Sequence, residues 1–266
     1  AVRYRDRMPK TFNPTRRFQR LVIGTTFKVE NPACGQKIYL FLLVEINRFF
    51  DQKQDFLGKK VMITMGPTQE NIDPVRFISN HSSGKMGLAL AKAFKNSGAE
   101  VTLISGPVGL DLSVFDVKSV RSAHEMLESA TSIHSEQDIC VFAAAVADYS
   151  PAEVADQKIK KQEDELIIRL KKNPDIAREL GQRKQPHQIH VGFALETERG
   201  EHYALEKLRK KNFDLIVLNS ATEEGAGFRH DTNKVTIFHT DGSQVTSDLM
   251  PKSAVAELIL KEVKKA

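Results

Sequence analysis

The chain has 266 residues, of which 41% are hydrophobic and 27% charged, an ordinary composition for a globular protein. It excludes a disordered or fibrous chain, and the length suits one large domain or two small ones. Two cysteines, Cys34 and Cys140, are too few for a disulfide scaffold and favour a reducing, cytoplasmic compartment. The longest apolar run, residues 38–44, is much shorter than the roughly 20 residues of a membrane span. We therefore expect no membrane partner and no signal peptide.

The positive charge is concentrated in the first fifth of the chain. The net charge is +5, yet residues 1–55 hold 11 Lys and Arg against 5 Asp and Glu, and residues 56–266 hold 28 against 29. The basic part contains no recognisable nucleic-acid motif, so we expect no nucleic-acid partner. We treat residues 1–55 as an N-terminal extension of unknown role and residues 56–266 as the main domain.

From residue 56 the predicted elements alternate. Strands are predicted at 60–64, 100–104, 138–145, 166–170, 190–194 and 214–218, and helices at 85–97, 123–135, 174–180, 200–211 and 252–265. The helix at 174–180 has Asn173 as its expected cap and Pro174 in its first position. Residues 234–239 form one arm of a hairpin that turns at Asp241-Gly242. The alternation predicts an α/β fold: a Rossmann-like, doubly wound, mostly parallel sheet with helices on both faces.

The loop at 66–87 follows the first strand and leads into a helix, where free N–H groups and the helix dipole favour phosphate. Its candidate phosphate-binding residues are Gly66, Ser82, Ser83, Gly84 and Lys85. The spacing excludes the P-loop, because Met86 follows Gly84-Lys85. The dinucleotide fingerprint G-x-G-x-x-G is also missing, which weakens a nicotinamide enzyme. An ordinary glycine-containing loop is the alternative.

A second candidate site lies at 142–149, FAAAVADY. Small residues let a flat ring lie against the backbone, and Asp148 at a strand end can accept hydrogen bonds or hold a divalent metal. A core strand with a capping aspartate is the alternative. The lysines at 158–161, 171–172, 207 and 210–211 are either a solvated charge run or point charges for a polyphosphate. The polar stretch 151–165 suits a surface flap that carries Lys158 over such a ligand.

Other patterns are weaker. The spacing Tyr203-x-x-x-Lys207 matches short-chain dehydrogenases but also simply places two residues on one helix face. His187 and His190 have no partners at metal spacing, so a zinc site is not expected. Cys140 falls inside an apolar strand and is expected in the core.

Several long motifs together resemble bacterial phosphopantothenoylcysteine synthetase, often the C-terminal half of a bifunctional coenzyme A biosynthesis protein. They are DPVRFISNHSSGKMG (73–87), AAAVADY (143–149), KIKK (158–161), KNPDI (172–176), VGFALET (191–197) and, in looser form, residues 208–216. They occur in the same order as in the family, and the resemblance covers residues 57–265.

The resemblance implies a ligase that joins phosphopantothenate to L-cysteine, with CTP as co-substrate and magnesium or manganese as the metal. The carboxylate would attack the α-phosphate to give an acyl-cytidylate and pyrophosphate, and the cysteine amine would then release CMP. By resemblance, Asn80 stabilises the intermediate and Lys158 is the lysine of the flap. The implied nucleotide contacts are Ala143, Ala144, Asp148, Lys158, Asn173, Pro174, Asp175, Ile176, Phe193, Lys207 and Lys211, with Asp148 the candidate metal ligand.

The family resemblance also implies a homodimer. Residues 1–55 are too short for the flavin-dependent decarboxylase domain of the bifunctional proteins, so no flavin is expected. Two alternatives stay open: a nicotinamide-dependent reductase that uses Tyr203 and Lys207, and a nucleotide-binding module without catalysis.

Overall fold

The computed structural model describes residues 54–160, 165–196, 199–220 and 230–266. Cys34 and residues 38–44 lie outside the described residues, as does Lys161 of the KIKK motif.

An eight-stranded sheet forms the centre of the fold. Six parallel strands take the order β5-β4-β1-β6-β9-β10, and two antiparallel strands, β12 and β13, extend the β10 edge. Their bounds are β1 Lys60–Met65, β4 Glu100–Ser105, β5 Asp116–Ser119, β6 Ile139–Phe142, β9 Ile189–Glu196, β10 Leu215–Ser220, β12 Val235–His239 and β13 Gln244–Thr246. The chain order reverses between β1 and β6, which is the switch point where doubly wound sheets bind ligands.

Helices cover both faces of the sheet, so its central strands read as continuous apolar runs. The helices are α1 Lys85–Asn96, α2 Ala123–His134, α3 Ile176–Gln182, α4 Gly200–Lys210 and α5 Lys252–Val263. Helices α1 and α5 pack on one face, through residues such as Phe94 and Ile259, against Ile63 and its neighbours. Helices α2, α3 and α4 pack on the other face, against Met62 and Ile216.

Three short antiparallel pairs stand outside the main sheet. They are β2 Gln69–Asn71 with β3 Phe77–Ser79, β7 Tyr149–Pro151 with β8 Leu170–Lys172, and β11 Thr232–Asn233 with β14 Met250–Pro251. The first two pairs lie next to each other through β2 and β7.

The predicted fold class is confirmed, with corrections to individual elements. The strand predicted at 138–145 ends at Phe142, beyond which Ala143 N–H donates to Thr64 O and Ala145 pairs with Pro67 in an isolated bridge. The strand predicted at 166–170 is wrong in position, since only Leu170–Lys172 pairs, and with β7. The helix predicted from Pro174 begins at Ile176, with Asp175 as its cap. The hairpin turn at Asp241-Gly242 is confirmed, with Gly242 at φ 86°.

No helix among the described residues is both long and apolar enough to cross a lipid bilayer.

Candidate functional site

Two adjoining cavities open at the carboxyl ends of the parallel strands, beside the switch point. Cavity A has a volume of about 320 Å³ and is bounded by the start of α1 and the ends of β9 and β10. Cavity B has a volume of about 450 Å³ and is bounded by the segment after β6 and the start of α3. Four residues line both cavities: Ala144, Val146, Phe193 and Lys207. A ligand that extends from one cavity into the other would therefore pass Lys207.

The predicted site residues divide between these cavities. Cavity A is lined by Asn80, Ser82, Ser83, Gly84, Lys85, Ala143, Ala144, Phe193 and Lys207. Cavity B is lined by Ala144, Asp148, Asn173, Pro174, Asp175, Ile176, Phe193, Lys207 and Lys211. Gly66 and Lys158 are absent from both linings, as far as the described residues define them.

Gly66 has a conformational role in the turn after β1. Its φ is 75°, a left-handed value that favours glycine. A Cβ at this position would also lie 2.8 Å from Val108 Cγ1. Its carbonyl accepts a hydrogen bond from Ala145 N–H at 2.9 Å, so this turn fixes the segment that follows β6.

The start of α1 forms one wall of cavity A. Gly84 precedes the helix at φ 75°, and its N–H donates to Ser82 Oγ at 3.3 Å. Gly87 allows the helix to approach β1, since a Cβ there would lie 2.5 Å from Met65 Cβ. Lys85 Nζ donates to Asp231 at 2.6 Å, so a phosphate at this lysine would compete with that carboxylate.

Asn80 joins the loop before α1 to the segment after β6. Its side-chain amide nitrogen donates to the backbone oxygens of Ala145 at 3.0 Å and Val146 at 3.2 Å. An amide nitrogen has two N–H donors, and both have acceptors here. To donate to a substrate oxyanion, Asn80 would exchange one of these backbone bonds.

Asn173 is not the cap of α3; it holds the wall of cavity B. Its Nδ2 donates to Ala147 O at 2.8 Å and its backbone N–H to Asp148 O at 2.9 Å. Its Oδ1 is buried and has no hydrogen-bond partner among the described residues. Asp175 caps the helix instead, accepting from Arg178 N–H at 3.1 Å. Because buried polar atoms usually have a partner, Asn173 Oδ1 is a candidate acceptor for a ligand.

Two lysines of cavity B are paired with carboxylates. Lys207 Nζ donates to Glu196 at 2.6 Å, and Lys211 Nζ donates to Asp175 at 3.0 Å. Asp148 is an exposed carboxylate on the same cavity. Magnesium is often held by one or two carboxylates together with substrate phosphates, so Asp148 fits the metal that the resemblance implies.

Three residues of cavity A escaped the sequence analysis: Asn219, Asn233 and Lys252. Asn219 Oδ1 and Asn233 Oδ1 are buried and have no hydrogen-bond partner within the part of the chain that the structure describes. Lys252 Nζ donates to the backbone oxygens of His230 and Thr232, and burial lowers its pKa, as does nearby Lys85. Asn219 comes directly after the apolar run at 214–218 that predicts a strand, which is a sequence signal, whereas the other two come from segments with no such signal.

A separate cluster lies in the core between the sheet and α2. His134, Cys140 and His190 bring potential ligand atoms within 4.8 Å of one another, so the expectation that His190 lacks such partners is wrong. The two imidazoles share a hydrogen bond of 3.1 Å between their Nε2 atoms. Burial lowers the pKa of His190 to about 3 and raises that of Cys140 to about 12. Both groups are therefore neutral near pH 7, as in an apolar core.

The dehydrogenase-like spacing finds no support in the geometry. Tyr203 is partly exposed on α4 and, among the described residues, belongs to neither cavity lining, whereas Lys207 four residues later belongs to both. A catalytic pair would present both side chains to the same ligand.

The sequence model of one family, the DNA/pantothenate metabolism flavoprotein C-terminal domain, matches residues 56–266. The chain belongs to this family. It is 50% identical over 208 residues to the coenzyme A biosynthesis bifunctional protein CoaBC of Bacillus subtilis, covering 77% of this chain and 51% of that protein. A protein named cysteine/cysteine sulfinic acid decarboxylase, from an unknown prokaryotic organism, is 47% identical over 82% of this chain and 63% of its own length. The chain thus spans about half to two thirds of these curated relatives.

Two solved structures share the fold. A crystal structure of the C-terminal domain of CoaBC superposes with a TM-score of 0.68 at 40% identity, covering 80% of this chain and 97% of that one. A Cab2 H337A mutant in complex with phosphopantothenate-cysteine superposes with a TM-score of 0.61 at 19% identity, covering 85% of this chain and 92% of that one. At that identity the second likeness supports the fold alone.

Proposed function

We propose that this domain is a phosphopantothenate–cysteine ligase of coenzyme A biosynthesis. It uses CTP to form an acyl-cytidylate, and L-cysteine then gives phosphopantothenoylcysteine, CMP and pyrophosphate. The observation that carries the proposal is the pair of adjoining cavities that share Lys207 and are built from the family motifs. Among the described residues, neither cavity is lined by a cysteine or a histidine. This suits activation of the acid by a nucleotide rather than by a Cys–His nucleophile.

Cavity B suits the nucleotide. Asn173 Oδ1 needs a donor, and the exocyclic amine of cytosine supplies one. Lys207 and Lys211 provide positive charge for phosphates. Asp148 would hold the magnesium ion, which neutralises phosphate charge when bound. Adenine also carries an exocyclic amine, so ATP is tested beside CTP.

Cavity A suits the acid. Lys85, Lys252 and the start of α1 provide positive charge for the phosphate of phosphopantothenate. The oxygens of Asn219 and Asn233 are acceptors for the hydroxyl and amide donors along its chain. This orientation brings the carboxylate end towards Lys207 and the α-phosphate in cavity B.

The chain's own residues then have separate tasks. The two cavities hold carboxylate and α-phosphate together, which makes the attack effectively unimolecular. Lys207 and Lys158 neutralise charge that develops on the phosphates. Asn80 donates a hydrogen bond to the oxygen that becomes negative when the cysteine amine attacks the acyl carbon.

We also propose a homodimer in the cytoplasm. Val75 and Phe77 on β2–β3, and Tyr149 and Leu170 on β7–β8, are large apolar side chains that are 43–60% exposed. The two strand pairs lie side by side, and clustered exposed apolar groups mark interfaces. The free, buried Cys140 is compatible with a reducing compartment.

Pyrophosphate release tests the proposed function. The protein is mixed with magnesium, phosphopantothenate and either CTP or ATP, with and without cysteine. With CTP and phosphopantothenate but no cysteine, we expect a burst of pyrophosphate that equals the amount of enzyme. With cysteine added, we expect steady turnover. Nucleotide binding by folded protein without pyrophosphate release would favour a non-catalytic module, and NADPH binding without CTP binding would favour a reductase.

A further inference from the structure

The turn between β2 and β3 contains a buried carboxylate. Asp73 has a fully buried side chain, and its Oδ1 accepts from the backbone N–H groups of Val75 at 2.8 Å and Arg76 at 2.9 Å. These bonds close the turn, together with the bond from Ile72 N–H to Arg76 O at 2.8 Å. Oδ1 of Asp73 therefore accepts both of the hydrogen bonds by which this side chain closes the turn.

The other oxygen of Asp73 reaches a distant part of the chain. Oδ2 accepts from Ile159 N–H at 3.1 Å and from Arg76 Nε at 3.0 Å. Arg76 Nη2 donates to Ile159 O at 2.9 Å. Asp73 and Arg76 thus bind the backbone N–H and C=O of Ile159, which lies 86 positions after Asp73 in the chain. We call this set of contacts the Asp73–Arg76 clamp.

The clamped segment has little other structure. Residues 152–160 form no helix or strand. Ala155 N–H donates to Ile72 O at 3.0 Å, which fixes the segment to the same turn. Lys158, the residue before Ile159, is exposed. Its backbone position is therefore set by the clamp on one side and by Ala155 on the other.

The hairpin that carries the clamp also carries Asn80. Strand β3 ends at Ser79, and the next residue, Asn80, bonds to Ala145 and Val146 beside both cavities. Ser79 Oγ donates to Thr68 O at 2.7 Å, which fixes this end of the hairpin to the loop after β1. One short hairpin therefore fixes both Asn80 and the segment that contains Lys158.

We propose that Asp73 and Arg76 are positioning residues that act through Lys158, holding its segment on the hairpin so that the lysine is presented to the bound nucleotide. The proposal rests on the proposed function for the role of Lys158, but the clamp itself does not. Arg76 and the backbone donors hold the pKa of Asp73 well below its usual range. The carboxylate stays charged near neutral pH, and a buried charge is stable only with such partners.

The test uses Asp73→Asn, which can keep an amide oxygen towards Val75 and Arg76 but replaces Oδ2 with a donor. Arg76→Lys is the second variant, because it keeps a positive charge but cannot span both Asp73 and Ile159. Asp241→Asn is the matched control. Asp241 also closes a turn, accepting from Ser243 N–H at 2.8 Å, and it lies on the β12–β13 hairpin.

The first readout is trypsin cleavage after Lys158 and Lys160 in folded protein, followed by mass spectrometry. Cleavage requires local opening of the segment, so we expect it to be at least about 5-fold faster in both clamp variants and unchanged in the control. Equal cleavage rates in all four proteins would overturn the clamp. This readout needs no activity, so it remains decisive if CTP-dependent turnover is absent.

The second readout is a double-mutant cycle on pyrophosphate release. We expect Asp73→Asn to lower kcat about tenfold in the native background and to have no further effect in a Lys158→Ala background. Binding of CMP, followed by calorimetry, should be no weaker in Asp73→Asn than in Lys158→Ala, because the residues that line cavity B are untouched. If the effects of Asp73→Asn and Lys158→Ala simply add, or if Asp73→Asn weakens CMP binding further than Lys158→Ala does, Asp73 does not act through Lys158.

Discussion

Lys207 lines both cavities, and its Nζ donates a hydrogen bond to Glu196 Oε1 at 2.6 Å. Replacing it with alanine removes a charge that would otherwise bind a phosphate of the nucleotide. Lys210 is the matched control, since it lies on the same helix, pairs with Glu206 and is 70% exposed.

The expected loss follows from two opposing terms. A hydrogen bond to a charged group contributes about 1.5–3 kcal/mol, and the partly exposed pair with Glu196 that Lys207 must surrender is worth about 0–1 kcal/mol. The net loss of about 0.5–3 kcal/mol corresponds to a roughly 2- to 140-fold fall in kcat/KM for CTP.

The assay measures kcat/KM for CTP by pyrophosphate release, together with the thermal unfolding midpoint of each variant. Lys210→Ala should change kcat/KM by less than about twofold, because surface pairs contribute little. If Lys207→Ala falls no further than Lys210→Ala while both remain folded, the placement of the triphosphate beside Lys207 is incorrect.

Three further predictions concern other parts of the domain. Asn80→Asp places a carboxylate against two backbone oxygens in place of a donor, so steady-state ligation should fall at least about tenfold, and unchanged turnover would exclude the proposed role of Asn80. Burial lowers the pKa of His190 from 6.5 to about 3. Below pH 6.5 its imidazole is therefore protonated in the unfolded chain but neutral in the folded one, so the free energy of unfolding falls as the pH drops from about 6.5. Between pH 7.5 and pH 5, urea unfolding should show a loss of about 2 kcal/mol from His190, beside a contribution from His134, whose pKa burial also lowers. The His190 contribution should be absent in His190→Gln and present in His187→Gln; equal losses in both variants would contradict the assignment. Phe77→Ser should shift the proposed homodimer towards monomer in analytical ultracentrifugation, whereas the same change at Val114, another exposed apolar residue, should not.

The main sheet was predictable because its strands are short apolar runs between turn signals. Residues 60–64 and 214–218 predict buried strands, and Gly98 at φ 89° marks the end of α1. The loop before α1 was also predictable as a binding wall, since a strand–loop–helix unit brings it to the carboxyl edge of the sheet.

Contacts between distant segments were not predictable from local patterns. Asn173 satisfies every sequence criterion for a helix cap, yet its side chain binds Ala147 O and leaves the cap to Asp175. Asn233 and Lys252 reach cavity A only through the packing of the C-terminal segment. The β2–β3 hairpin is too short for a period-2 pattern, so the Asp73–Arg76 clamp had no sequence signature.

We propose that cavity A binds the acid and cavity B binds the nucleotide. In this arrangement one carboxylate oxygen of the acid is transferred to the α-phosphate of the nucleotide. Phosphopantothenate labelled with oxygen-18 in its carboxylate is converted with CTP and cysteine, and the products are analysed by phosphorus NMR and mass spectrometry. Attack of the carboxylate on the α-phosphate predicts one labelled oxygen in CMP and none in pyrophosphate. Unlabelled CMP, or label in inorganic phosphate, would contradict the acyl-cytidylate route.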